Sequence, residues 1–379
     1  MPRPLRRRAR RVYLIGVAGH PNFGDEAITR GWLRWLAKHR PHDEVWLDVP
    51  NPGGAAALHH GQHPHLVTVD TVHRLGWEAP TEDVAEVAAH ARGVIEEPGR
   101  SPRWVAGLDA LRTADSVHLI GGGFVHARHP NTASVVVAML WAAARPDIRT
   151  AVTGAGLTPS SPELDTLYGE LGPLLDVAAV RDPDSATVLP GSVVAPDDVW
   201  LGGLEQHLDR RGAQRESAHH VMVLAQGDGH DRHDQLTATV VAQMEAWGVE
   251  SGQYSVVEAN PPVDGHVRET LEDRFGPHRF YPFVEVNARG LPVAPGQRWI
   301  STRYHPHLLA AAGGASGVAI TVSDGYYDVK HRAVEAAGST WPVVGIGSTP
   351  VDAGGPGDLP DRARQHTEAV TDLANRIYR

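Results

Sequence analysis

The sequence predicts an α/β protein built from two Rossmann-like, doubly wound domains that face a cleft. Two observations lead to this fold class. Short apolar runs alternate with segments of helical periodicity, and glycine-rich turns follow several of the apolar runs. Such alternation is typical of parallel sheets, in which ligand-binding loops follow the carboxyl ends of the strands. The 379 residues, 41% of them hydrophobic, are enough for two domains of ordinary size.

The first domain is predicted at residues 12–208, after a basic arm at residues 1–11 that we expect to be disordered. The apolar run at 11–17 predicts the first strand, and apolar residues at helical spacing predict a helix at 25–39. The same two patterns continue through the rest of this domain. They predict strands at 44–49, 116–120, 149–152 and 177–180, and helices at 133–144, 162–175 and 184–189.

The second domain is predicted at residues 219–360, beyond a polar stretch at 209–220 that we interpret as the linker. We expect small molecules to bind in the cleft, where strand ends of both domains face each other. A last helix within residues 361–379 is expected to pack back on the N-terminal domain. In the second domain the pattern predicts strands at 220–225, 254–258, 299–302, 317–321 and 343–346, and helices at 234–247, 267–275, 308–312 and 331–337.

Charge and composition exclude several classes of function. The first eleven residues carry six arginines and no acid, so the rest of the chain stands at −16 against a net charge of −10 for the whole. A body this acidic is a poor general nucleic-acid binder, and we expect no nucleic-acid partner. The absence of cysteine excludes disulfides, Fe–S clusters and thiol nucleophiles.

The same sequence predicts a cytoplasmic protein. No apolar run approaches the length of a spanning helix, and the run after the basic arm is too short and strand-like for a signal peptide. The arm at residues 1–11 has two interpretations, which both stay open. It is a solvated tail, or it tethers the protein to a membrane surface of anionic lipid.

The first candidate site is the glycine-rich segment at residues 16–33. Its spacing, Gly16, Gly19 and Gly24, is not the G-x-G-x-x-G spacing of dinucleotide binders. A glycine-rich turn that opens a helix presents free N–H groups and can bind an anion. The alternative is a plain tight turn in which Asp25 caps the helix.

Two further segments follow predicted strands of the first domain. Three consecutive glycines at residues 121–123 indicate a sharp turn or a close backbone approach. Arg181 stands at the end of a predicted strand, where Asp184 or Ser185 is expected to cap the next helix.

The segment richest in candidate catalytic side chains lies in the second domain. Arg303 and His305 alternate, so in an extended segment their side chains face the same side. Lys330 follows, and the only other lysine in the chain is Lys38. A lysine retained where arginine is otherwise used favours a site that needs a compact ammonium group, with chance retention on a solvated face as the alternative.

Together these segments resemble those of the polysaccharide pyruvyltransferase family. Matching order and spacing extend over roughly residues 12–338, and the ordered set is more specific than any one motif. The matching residues are Asn22, Gly24, Asp25, Glu26, Ala27 and Ile28, the glycines at 121–123, the segment 180–185, Ser301, Arg303 and His305, and Asp328 and Lys330.

The resemblance implies an architecture similar to that of B-type glycosyltransferases and a defined reaction. Members of the family move a pyruvyl group from phosphoenolpyruvate onto two hydroxyls of a sugar, which forms a ketal and releases phosphate. Phosphoenolpyruvate is then a co-substrate, no separate cofactor is expected, and the acceptor is a sugar or a lipid-linked glycan.

The roles of single residues follow from this resemblance. The donor carries a carboxylate and a phosphate, so it needs at least two fixed cations, and the reaction needs a group that exchanges protons near neutrality. Carboxylates beside a bound dianion would oppose its binding, so they are assigned to the acceptor hydroxyls. The expected catalytic residues are His305, Asp25 and Glu26, the donor-binding residues Arg181, Arg303, Lys330, Gly122 and Gly123, and the acceptor-binding residues Asn22, Asp25 and His126.

Two departures from the family pattern concern the acceptor. Tyr304 stands where family members often carry a small aliphatic residue, and the segment after the glycine triplet is unusually basic, with His126, Arg128 and His129. Both leave the donor chemistry intact and leave the class of acceptor open.

Two other functions remain as alternatives. A B-type glycosyltransferase would bind the ribose of a nucleotide sugar through a carboxylate such as Glu258, although residues 260–265 do not resemble a phosphate loop. A non-catalytic carbohydrate-binding protein of the same fold is the other alternative. No metal is expected: the histidines His59, His60, His63 and His65 have neither helical i, i+4 spacing nor a carboxylate companion.

Overall fold

The structure, a computed structural model, divides into two compact units. Unit 1 comprises Met1–His20, Ile28–Leu201 and Val370–Arg379, and unit 2 comprises Pro21–Ala27 and Gly202–Ala369. The residues described are 9–214, 220–228, 231–261, 263–322 and 326–378. Most of the predicted basic arm and part of the predicted linker therefore lie outside the described part of the chain.

Unit 1 contains a parallel sheet of seven strands among the described residues. Its strand order is β3-β2-β1-β4-β5-β6-β7, so the chain reverses direction across the sheet between β1 and β4. The strands are β1 Arg11–Ile15, β2 Glu44–Asp48, β3 Leu66–Val69, β4 Ser116–Leu119, β5 Arg149–Ala155, β6 Val177–Val180 and β7 Val193–Val194.

Helices cover this sheet and bury its apolar side chains. The core includes α6, where residues on every face of the helix are buried, as its long apolar run predicts. The helices are α1 Phe23–His39, α2 Pro52–Leu58, α3 Thr71–Trp77, α4 Val84–Glu96, α5 Val105–Arg112, α6 Ala133–Ala143, α7 Pro162–Leu171 and α8 Pro183–Val188.

Unit 2 repeats the same topology with six strands among its described residues. The strand order is β10-β9-β8-β11-β12-β13, again fully parallel. The strands are β8 Val221–Leu224, β9 Tyr254–Val257, β10 Arg279–Tyr281, β11 Arg298–Ser301, β12 Ser316–Thr321 and β13 Val343–Gly345. The helices are α9 Arg210–Ala213, α10 His233–Ala246, α11 Arg268–Phe275, α12 Phe283–Arg289, α13 Tyr304–Ala312, α14 Tyr326–Ala337 and α15 Leu359–Ile377.

The predicted fold class of two Rossmann-like, doubly wound domains is confirmed. In such sheets ligands bind beyond the carboxyl ends of the two strands where the strand order reverses. In unit 1 these are β1 and β4, which precede the glycine-rich segments at 16–24 and 121–123. In unit 2 they are β8 and β11, which precede Asp228 and Arg303. Three of these four places, all except Asp228, carry segments that the sequence singles out.

Candidate functional site

In unit 1 a buried carboxylate organises the glycine triplet. Asp198 Oδ2 accepts hydrogen bonds from Gly121 N at 2.9 Å, Trp32 Nε1 at 2.7 Å and Thr153 Oγ1 at 2.6 Å. Burial raises the pKa of Asp198 to about 6, although the three donors oppose this shift. A Cβ at Gly121 would lie 3.0 to 3.2 Å from atoms of this side chain, which is a tight contact that favours glycine.

Gly122 forms the turn itself. Its φ of 139° lies in the region that favours glycine, and its backbone pairs with Ala155 in the next strand. The predicted sharp turn at the triplet is therefore present, and it brings the backbone of Gly122 to the carboxyl end of the sheet.

Arg181 lies just after β6, as the sequence predicts, but its side chain is only 4% exposed. Its Nη1 donates to Asp197 Oδ2 at 3.2 Å, and its guanidinium packs against Gly156, where a Cβ would lie 2.8 Å from Nε. The cap prediction at this place is wrong: Asp182, not Asp184 or Ser185, caps α8, because its Oδ1 accepts from Ser185 N at 2.7 Å.

The basic segment after the triplet is partly buried. His126 is fully buried, and its Nδ1 accepts a hydrogen bond from Arg128 N at 3.2 Å. The rings of His126 and His129 lie 4.7 Å apart. The hydrogen bond at Nδ1 fixes the orientation of the His126 ring, so in this structure His126 supports the loop that follows the glycine triplet.

In unit 2 the first turn of α1 meets the start of α13. A Cβ at Gly24 would lie 1.8 Å from His305 Nδ1, so the imidazole occupies the space beside the Gly24 backbone. Gly24 does not have a positive φ, and the close approach alone demands glycine. The neighbours Asn22, Asp25 and Glu26 occupy the same turn, with Asn22 Oδ1 accepting from Gly24 N at 3.3 Å. Two motifs that are far apart in the sequence thus form one site.

Arg303 is held by two carboxylates of the same unit. Its Nε donates to Asp264 Oδ2 at 2.8 Å, and its Nη2 donates to Asp264 Oδ1 at 2.5 Å and to Asp228 Oδ1 at 2.6 Å. Burial opposes the charged form, but the two carboxylates raise the pKa of Arg303 overall. Arg303 is therefore a fixed cation.

Asp264 also fastens Arg303 to the turn of α1. Its Oδ2 accepts hydrogen bonds from Ala259 N at 3.0 Å and Asn260 N at 2.9 Å, and Ala259 O accepts one from Phe23 N at 2.8 Å. Asp264, which is fully buried, is the centre of this network. It connects the guanidinium to the turn that contacts His305.

One prediction about this segment is wrong. Arg303 and His305 do not alternate in an extended strand, because β11 ends at Ser301 and α13 begins at Tyr304. Ser301 Oγ accepts a hydrogen bond from Arg303 N at 3.2 Å, which turns the chain into the helix. Arg303 precedes α13 and His305 is its second residue, so the turn and not strand alternation sets the direction of each side chain.

Lys330 and the loop histidines are the remaining candidates. Lys330 lies in α14 and is half-buried; the side chain of Asp328 is outside the described residues. Of the loop histidines, His59 and His63 are buried. Across the described ranges no three histidine or carboxylate side chains are grouped as a metal site would require. The described helices include none with the length and apolar character needed to cross a bilayer.

Asp228 and Asp264 are functional candidates that the sequence motifs do not reveal. Asp264 stands in residues 260–265, a segment that sequence reasoning weighs only as a phosphate loop. Asp228 follows β8 and stands in the sequence Gln-Gly-Asp-Gly. A strand end followed by a glycine-flanked carboxylate is the one signal that points to Asp228, since strand ends at the reversal of a doubly wound sheet carry ligand sites.

Comparison with known proteins shows the fold and the family. A protein assigned as a UDP-N-acetylglucosamine 2-epimerase from Listeria monocytogenes is 14% identical with a TM-score of 0.51, and the match covers 96% of this chain and 91% of that one. A glycosyltransferase from Rickettsia africae ESF-5 is 10% identical with a TM-score of 0.50, covering 98% and 94%. At these identities the likeness shows the fold alone. A search among curated proteins found no match.

The family model for polysaccharide pyruvyl transferase matches residues 22–247. The match begins at Asn22, includes the glycine triplet and Arg181, and ends before Arg303 and His305. It covers more than half of the chain. The protein therefore belongs to the polysaccharide pyruvyl transferase family.

Proposed function

We propose that the protein transfers a pyruvyl group from phosphoenolpyruvate to two hydroxyls of one sugar, forming a ketal and releasing phosphate. The contact between Gly24 and His305 carries this proposal. Gly24 lies within the residues that match the family model and His305 lies beyond them. Their contact joins the family's N-terminal segment to a histidine and an arginine suited to the chemistry of the donor.

Each step of the reaction can be assigned to a group of the chain. His305 protonates the methylene carbon of phosphoenolpyruvate, and C2 becomes an oxocarbenium-like centre. One sugar hydroxyl adds to C2 and returns its proton to His305. The C2–O bond to phosphate then breaks, the second hydroxyl adds to C2, and its proton leaves with phosphate. One methyl group and two new C–O bonds are formed for one phosphate released.

Arg303 would bind an anionic group of the donor, since its guanidinium is held in place and its side chain keeps an exposure of 11%. Asp25 and Glu26 would accept hydrogen bonds from the acceptor hydroxyls, and one of them, as a base, would pass the proton of the second hydroxyl to the departing phosphate. Roles for Arg181, Lys330, Gly122 and Gly123 in donor binding, and for Asn22 and His126 in acceptor binding, rest on the family resemblance. So does the assignment of a sugar or lipid-linked glycan as acceptor.

The experiment is incubation with phosphoenolpyruvate and a panel of glycans, followed by phosphate assay and mass spectrometry for the added pyruvate ketal. We expect His305→Ala to remove product while phosphoenolpyruvate still binds in calorimetry. His60→Ala, at an exposed histidine, is the matched control and should leave turnover unchanged. Near-normal turnover of the His305 variant would remove it from the mechanism.

A nucleotide-sugar transferase is the second candidate, and one cavity favours it. A cavity of about 600 Å³ in unit 2 is lined by Glu258, His233, His266, Arg268 and Phe280. One oxygen of Glu258 accepts from Phe283 N at 2.9 Å, so this carboxylate is partly committed to the start of α12. Saturable calorimetric binding of a nucleotide sugar, with no response to phosphoenolpyruvate, would favour this function over pyruvyl transfer.

A further inference from the structure

The two carboxylates on Arg303 are not equivalent. Asp264 has a side-chain exposure of 0%, takes two backbone hydrogen bonds and binds Nε and Nη2 together. Asp228 is 43% exposed and makes one hydrogen bond to Nη2. Within the described part of the chain its other oxygen accepts only from Asn260 Nδ2, at 3.1 Å. Asp264 is therefore a permanent anchor, whereas Asp228 is held at one point of the guanidinium.

The guanidinium has two sides on which a bidentate anion can bind. Asp264 occupies the side formed by Nε and Nη2. The other side is formed by Nη1 and the second hydrogen of Nη2, and Asp228 takes that second hydrogen. Among the described residues Nη1 has no hydrogen-bond partner. An anion that binds Nη1 and Nη2 with two oxygens must therefore displace Asp228.

The net charge around Arg303 also indicates that Asp228 must move before an anion binds. With Arg303 the two carboxylates form a cluster of net charge −1, which repels an anionic donor. Movement of Asp228 away from Nη2 removes that repulsion and frees the Nη2 hydrogen, so that Nη1 and Nη2 can bind one anion together. Because Asp228 is nearly half exposed, its carboxylate regains water when it leaves, which Asp264 cannot do.

We propose that Asp228 is a specificity-determining residue that occupies the anion site of Arg303 until a donor with a dianionic phosphoryl group displaces it. This inference rests on the proposed function, since it assumes that Arg303 binds the donor. A ligand with a single negative charge offers Arg303 no more than Asp228 already does. A dianion binds both Nη1 and Nη2 with the larger charge and therefore displaces Asp228.

The test compares Asp228→Asn with the wild-type full chain by calorimetry against inorganic phosphate and against phosphoenolpyruvate. Removal of the competing charge should tighten binding of both ligands by about tenfold. Asp264→Asn should weaken binding, because it releases the anchor of Arg303. Asp231→Asn removes an equal charge from a nearby exposed position and serves as the matched control. Its dissociation constants for both ligands should stay within about twofold of those of the wild type.

The outcomes separate this inference from the proposed function. If Asp228→Asn gains affinity for phosphate while phosphoenolpyruvate binds neither protein, the displacement of Asp228 is supported and the assignment of phosphoenolpyruvate as donor is wrong. If phosphoenolpyruvate binds both proteins equally and Arg303→Ala abolishes binding, the donor assignment is supported and the proposed displacement of Asp228 is wrong. Absence of any gain for either ligand also overturns it. Asp228→Ser is measured in parallel, so that a folding defect of one variant does not decide the result.

Discussion

His307 Nδ1 lies 3.0 Å from His331 Nδ1, and both rings are fully buried. His331 Nε2 lies 3.2 Å from Thr302 O, which can only accept, so this nitrogen carries a hydrogen. In a neutral ring His331 Nδ1 is then the acceptor, and His307 Nδ1 carries the hydrogen between them. His307 Nε2 is left to accept from Ser339 Oγ at 2.9 Å. The four groups form one directional chain between α13 and α14.

This chain predicts a large effect for His331→Leu. The change leaves the Nδ1 hydrogen of His307 and the carbonyl of Thr302 buried without their present partners, which should lower the free energy of unfolding by about 2 to 4 kcal/mol. Urea denaturation at pH 7.5 measures it. His42→Leu makes the same change at an exposed position and should stay within about 0.5 kcal/mol of the wild type. Equal effects of both variants would show that the chain does not stabilise unit 2.

The contact between Gly24 and His305 makes a second prediction. Gly24→Ala places a methyl group where His305 Nδ1 lies, so the imidazole must move and pyruvyl transfer should fall by about a hundredfold or more. A phosphate-release assay measures this. Gly169→Ala is the matched control, since a Cβ there meets open space within α7, and it should leave transfer unchanged. A Gly24→Ala protein with wild-type turnover would separate this turn from the chemistry.

Much of the fold is predictable because its central elements are apolar throughout. Strands β1 and β8 are bordered on both sides in their sheets, and their burial leaves nearly continuous apolar runs in the sequence. Strands β3 and β10 lie at sheet edges, are mostly half-buried and are not among the predicted strands. No helix is predicted at α4 either, although its buried residues do recur at helical spacing. This helical spacing is visible in the sequence alone, so α4 is predictable.

The site is less predictable because it depends on contacts between distant segments. Arg303 can be recognised as a candidate cation, but its partners Asp264 and Asp228 stand 39 and 75 residues away. Only the order of strands in unit 2 brings them together. The same holds for Gly24 and His305, whose contact depends on where the first turn of α1 packs. Sequence motifs identify the groups, and the topology of the sheet decides which groups meet.

The ion pair of Arg181 with Asp197 makes a third prediction. Both side chains are almost fully buried, so Arg181→Met leaves the Asp197 charge uncompensated and should lower the free energy of unfolding by about 3 to 5 kcal/mol. Arg181→Met combined with Asp197→Asn removes both charges and should recover more than half of this loss. Urea denaturation of the single and double variants measures it.

The double variant also separates structure from binding at Arg181. If Arg181 binds the donor, the double variant is stable and phosphoenolpyruvate binding stays lost in calorimetry. Arg74→Met, which breaks the more exposed ion pair with Asp70, is the control and should change stability by about 1 kcal/mol or less. Recovery of binding together with stability would make Arg181 a structural residue only.

Asp198, beneath the glycine triplet, makes a prediction about pH. Burial raises the pKa of Asp198 to about 6 from its usual value of 3.8, so the folded protein holds a proton that the unfolded chain releases between these values. The stability that this group contributes is complete below about pH 4 and is lost as the pH rises through 6. The Asp198→Asn side chain cannot ionise. The stability of this variant relative to the wild type should therefore rise by about 1 to 3 kcal/mol between pH 4 and pH 6.5 and then stay level.

Urea denaturation at half-unit steps of pH measures this difference, with Asp184→Asn as the control at an exposed carboxylate. The control should differ from the wild type by a constant amount over the same range. The amide that Asp198→Asn introduces can still accept from Gly121 N through its oxygen, so the variant tests the charge and keeps the hydrogen bond. A flat difference for Asp198→Asn would mean that the carboxylate is ionised in the folded protein, and that its three donors outweigh the effect of burial.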